Sequence, residues 1–137
     1  MTLSRATIAR IAEEQFSQRR AALKRAVDNG DWPGDPANEV ARLWLAIAAM
    51  AGARLPELQV PAIFPIGHTC TVMAHHIASP DAALAELARA RDVAIARAEA
   101  NPKDARAAQK ARDLMILANA LGAPAYDHRR RSQKSAA

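Results

Sequence analysis

The chain reads as an all-α, single-domain helical bundle: four long helices, one short helix, a proline-rich crossover and a C-terminal αα-hairpin. Three observations predict this. Alanine, the strongest helix former, makes up about a quarter of the residues. Aromatic residues amount to only 4%, and β-branched residues are scattered. Apolar side chains recur at three-and-four spacing across stretches bounded by helix start and stop signals. At 137 residues the chain is of one-domain size. A core of that size buries about two-thirds of the surface the unfolded chain exposes, so neither metal nor disulfide is needed to hold it.

The first helix is predicted from Arg5 to Asp28 with Ser4 as its cap. Ile8, Ala12, Phe16, Leu23 and Val27 line one face, and Asn29-Gly30 stops it. "GDWPGDP" is a loop by composition. Asp35 is expected to cap the second helix, with Pro36 at its first position and its end near Ala53. Val40, Leu43, Trp44, Ile47, Ala48 and Ala51 make this helix apolar over most of its later circumference, which marks it as central. Pro56, Pro61 and Pro65 then exclude a long helix. Leu55, Leu58, Val60, Ile63, Phe64 and Ile66 make the same stretch too apolar for a free linker, so an ordered, extended cover is expected.

A short helix is read from about His68 to Ala78, although Thr69, Thr71 and Val72 also suit a strand. Ser79-Pro80 opens the next long helix, with Asp81 in its first turn where the helix dipole favours negative charge. It is expected to end near Ala100. Asn101-Pro102 is read as the start of the last helix, with Asp104 in its first turn, and Gly122 ends it. The connection is so short that the two helices must form an antiparallel pair, and their small side chains allow axes about 8 Å apart. Residues 1–122 are thus expected to form the domain. Residues 123–137, without periodicity, are expected to form a flexible basic tail.

The net charge of +5 is placed unevenly. Residues 1–29 carry six basic and three acidic groups, residues 30–79 two and four, residues 80–122 seven and six, and residues 123–137 four and one. The excess therefore sits at the two ends. That pattern speaks against a uniformly basic nucleic-acid-binding body and for basic appendages. On the first helix these are Arg19, Arg20, Lys24 and Arg25; in the tail they are Arg129, Arg130, Arg131 and Lys134. Such groups suit phosphate-backbone contact, while the scarcity of aromatic residues disfavours base stacking.

"PIGHTCTVMAHHIASP", residues 65–80, is the most site-like stretch, with three of the four histidines and the sole cysteine. Helix geometry disperses it. His68 and His75 would share a face but stand about 10 Å apart along the axis; His75 and His76 would diverge by about 100°, and Cys70 by still more from either. On a strand, His68 and Cys70 would share a face with His76 further along. No metal and no cofactor is expected; a metal, if held, would take His68, Cys70 and His76. Catalysis would rest on Cys70, with His68 beside it and a helix N-terminus beneath to lower the thiol pKa.

No phosphate loop, dinucleotide fingerprint or HExxH motif is present. No run approaches a membrane span, and no secretory signal opens the chain. With one cysteine, a reducing, cytoplasmic setting is expected. The expectation is a non-enzymatic binding or regulatory protein acting through protein–protein contacts. Nucleic acid or a nucleoprotein would be a further partner at the basic ends, Trp32 an interface anchor, and a homodimer an available assembly. The competing reading is a small enzyme or metal-binding protein centred on His68, Cys70, His75 and His76.

Overall fold

A computed structural model describes residues 4–61 and 69–125. Five helices carry the fold: α1 (Arg5–Asp28), α2 (Gly34–Met50), α3 (Ala74–Ile77), α4 (Pro80–Ala100) and α5 (Ala105–Leu121). Between α2 and α3 run a single 3₁₀ turn, Pro56–Leu58, and two three-residue strands, β1 (Gln59–Pro61) and β2 (Thr69–Thr71). The strands pair antiparallel, with Val60 opposite Cys70. The architecture is an all-α bundle, with α1 packed on α2, α4 on α5, α2 on both α3 and α4, and α1 on α5.

The helix ends show why the elements stop where they do. The Ser4 side chain accepts from Thr7 N–H and caps α1. At its far end Gly30 takes φ +79°, and Asp31 N–H reaches back to Ala26 O at 2.8 Å. Gly52 ends α2 in the same way, with Ala53 N–H on Ala48 O, and Gly122 ends α5 with Ala123 N–H on Ala118 O. Each glycine closes a six-to-one bond through a left-handed conformation that costs it no steric penalty.

Four boundaries differ from the sequence expectation, the first being the end of α2, at Met50 rather than near Ala53. Helix α2 starts at Gly34 rather than Pro36, with Pro33 at the cap position and no side-chain cap; Asp35 lies inside the first turn. Helix α5 is capped by Asp104, whose Oδ1 accepts from Arg106 and Ala107 N–H, and not by Asn101. Asn101 instead closes α4, donating from Nδ2 to Arg97 O. The expected helix over His68–Ala78 is divided: Thr69–Thr71 is a strand and only Ala74–Ile77 is helical. The β-branched residues there find a partner strand from the proline-rich crossover, a pairing that outcompetes a lone helical turn.

The core is small-grained. Trp44, Ile11, Ile47, Leu58, Leu87, Leu114 and Leu117 are its large, fully buried side chains, and alanines fill much of the rest. The prediction that α2 is central holds: Trp44, Ala46, Ile47 and Ala48 are all buried. The crossover covers the bundle through Leu58, which is fully buried; Ile63, Phe64 and Ile66 lie outside the described residues. Glu13 fastens the start of the crossover to α1 by accepting from Arg54 N–H. Among the described residues no helix is long and apolar enough to cross a membrane.

Candidate anion-binding site

The described sequence candidates fall on different elements. Cys70 lies in β2, paired across from Val60, so it does not occupy the first turn of a helix and the dipole activation expected of it is lost. His75 and His76 are exposed neighbours on α3 with ring centroids 4.1 Å apart. His76 faces a shallow depression also lined by Phe16, Arg20 and Glu57. Among the described residues no group of three or more His, Cys, Asp or Glu side chains could hold a metal. His68 and the tail residues Arg129, Arg130, Arg131 and Lys134 lie outside the described residues.

The basic residues of α1 have different neighbours. Arg20 forms an ion pair with Glu57 and lies over the Phe16 ring. Lys24 and Arg25 are exposed. Arg19 turns the other way, toward the α4–α5 hairpin, where sequence alone points to no site. Its guanidinium stacks on the fully buried Trp44 ring at 4.0 Å from the centroid. Its Nε–H is buried and finds no acceptor among the described residues.

There Arg19 meets four further cations. Arg89 and Arg97 come from α4, Arg106 and Lys110 from α5, and all five line one groove of about 400 Å³. Its floor is apolar and shallow: Ala90 and Ala94 of α4 and Ala107 of α5, with Val93 exposed at the edge. The alanines create the recess, because larger residues at these positions would fill the space between the basic side chains. The spacing explains the convergence. Arg89, Val93 and Arg97 are four residues apart along α4, and Arg106 and Lys110 four apart along α5, so each set forms a ladder on one helix face. The hairpin turns the two ladders toward each other, and α1 brings Arg19 across.

Two carboxylates temper this charge. Asp104 lines the groove, but its Oδ1 is engaged with two backbone N–H groups of α5. Glu86 stands one turn before Arg89 on α4, with only 10% of its side chain exposed. It accepts Arg89 in a two-pronged pair at 2.6 and 2.7 Å, and Trp44 Nε1–H at 3.1 Å. Burial pushes the Glu86 carboxyl up, but the hydrogen bonds from Arg89 and Trp44 and the charges of Arg89 and Arg19 outweigh it and hold the group below its ordinary value.

Two of the cations, Arg19 and Lys110, are less comfortable, while the pair with Glu86 raises the pKa of Arg89. Burial lowers the pKa of Arg19; Glu86 opposes this, and Arg89 and Arg97 add to it. Burial also lowers Lys110, and the charges acting on it, Arg19 and Arg97, are both of its own sign. Like charges gathered in a recess repel one another, and a bound anion would relieve that repulsion.

One more arginine is buried. Arg91 of α4 is 6% exposed. Its Nη1 donates to Pro124 O at 2.5 Å and its Nε to Asp92 Oδ1 at 2.9 Å, so the first residues of the segment expected as a flexible tail are held against α4. No model of a protein family, no curated protein and no solved structure matches the chain.

Proposed function

We propose that the protein is a non-enzymatic binding module whose partner is nucleic acid, held by its phosphates in the groove between α1, α4 and α5. The observation that carries this reading is the meeting of Arg19, Arg89, Arg97, Arg106 and Lys110 around one alanine-floored recess. Arginine donates in a planar fork suited to phosphate oxygens, and an apolar floor raises the worth of each charge. The reading moves the contact from the basic ends to the body of the bundle, with Arg19 common to both. Lys24, Arg25 and the tail then add non-specific attraction.

The test is binding of a short oligonucleotide at two salt concentrations by the full chain and by an Arg97→Gln/Arg106→Gln variant. Both side chains are exposed, so the fold should survive. Affinity should fall with salt, and the variant should bind more weakly with a shallower salt slope. Absence of binding at low salt would end the proposal.

A protein partner is favoured by a separate observation. Trp32, at the turn between α1 and α2, is 44% exposed. An exposed tryptophan on a short, hydrogen-bonded turn is suited to anchor an interface. Loss of a captured partner on Trp32→Ala, with stability unchanged, is the expected result.

A further inference from the structure

We infer that the groove takes a phosphomonoester, the terminal phosphate of a strand, in preference to the internal phosphodiesters of its backbone. The inference rests on the nucleic-acid reading above and names the ligand group within it. Three features point to it. First, the basic side chains converge from three helices on one recess of about 400 Å³. A run of diesters presents single charges spaced along a line, whereas a convergent cluster suits one compact, highly charged group. Second, a monoester carries about −1.5 to −2 charges near neutral pH, more than the single charge of a diester, and has three terminal oxygens to share among donors. Third, three of the four carboxylate oxygens nearby are already engaged: both of Glu86 by Arg89 and Trp44, and Oδ1 of Asp104 by the first turn of α5. Arg19 keeps a buried Nε–H without an acceptor among the described residues, and its stacking on Trp44 holds it in place before a ligand arrives.

The same chemistry is found at the end of a nucleic-acid strand and on a free nucleotide. The experiment separates them. The full chain is titrated into one short single-stranded oligonucleotide bearing either a 5′-phosphate or a 5′-hydroxyl, with a nucleoside monophosphate as competitor. The expected result is binding about tenfold tighter to the phosphorylated strand, from the extra charge and oxygens of the monoester. That advantage should be lost in Arg97→Gln/Arg106→Gln and be poorly competed by the monophosphate. Equal affinity for the two strands, with both weakened in the variant, overturns the monoester inference and leaves the nucleic-acid reading standing. A monophosphate that binds as tightly as the phosphorylated strand supports the monoester site and overturns the nucleic-acid reading. An advantage that persists in the variant puts the terminal phosphate elsewhere and overturns the inference. Binding of none of the three ligands overturns both.

Discussion

Single residues in and beside the groove oppose one another in a way that titration can read. Glu86 has a folded-state pKa below its unfolded value, so its contribution to stability is present above about pH 4.5 and is lost as pH falls through the folded value. Glu86→Gln should flatten the acid limb of a stability profile followed by urea denaturation. Glu86→Ala should cost about 1–3 kcal/mol at neutral pH, because it also strands the buried Trp44 N–H. Lys110 shifts in the same direction, but because it is a base the consequence at neutral pH is the opposite one. Its pKa is lowered, so the folded state is penalised while the ammonium is charged; full relative stability is present above its unfolded value near 10.5 and is lost as pH falls through the folded value. Facing it are Arg19 of α1 and Arg97 of α4, with Arg106 and Asp104 on its own side of the groove. Lys110→Met should therefore raise the urea midpoint at neutral pH and weaken anion binding. A variant that loses both stability and binding would show that Lys110 packs structurally instead.

At the scale of elements, Asp104 has two roles that a pair of substitutions separates. Asp104→Ala removes the α5 cap and should cost about 1 kcal/mol in a denaturation curve. It also removes a carboxylate from the groove lining, so anion affinity should rise while stability falls. Ser79→Ala, a cap on α4 outside the groove lining, should cost a similar amount and leave affinity alone. Element starts and stops were largely legible in the residues, because Ser4, Ser79, Gly30 and Gly122 act on their own few neighbours. Asp35 and Asn101 misled because each is a good cap near a start the chain makes elsewhere. The strand at Thr69–Thr71 was legible only as an alternative to helix, for a different reason: its partner, Gln59–Pro61, lies across the crossover, and local periodicity carries no information about it.

For the whole molecule, the groove was not legible because it is a property of three helices together. Residues 80–122 are nearly neutral in sum, yet α4 and α5 sort their charges by face, and the hairpin turns the basic faces together. Of the four basic residues singled out on α1, only Arg19 joins them; Arg20 is paired to Glu57. Removal of residues 126–137 takes away Arg129, Arg130, Arg131 and Lys134 while leaving the Arg91–Pro124 contact in place. The truncated chain should show a smaller salt slope for oligonucleotide binding and an undiminished preference for a terminal phosphate. A truncated chain that loses that preference would place the selectivity in the tail.

Trp44 makes the groove observable without a label. A guanidinium covers its indole face and a carboxylate holds its N–H, and both groups belong to the charge network that a ligand would rearrange. Any anion that draws Arg19 or Arg89 toward itself changes the electric field across the ring, so occupancy should appear as a change in the colour and yield of its emission. Trp32, the other tryptophan, lies at the surface on the α1–α2 turn and adds a constant background that Trp32→Phe removes. The bundle thus carries its own optical gauge, fixed in the core and wired to the groove by two side chains.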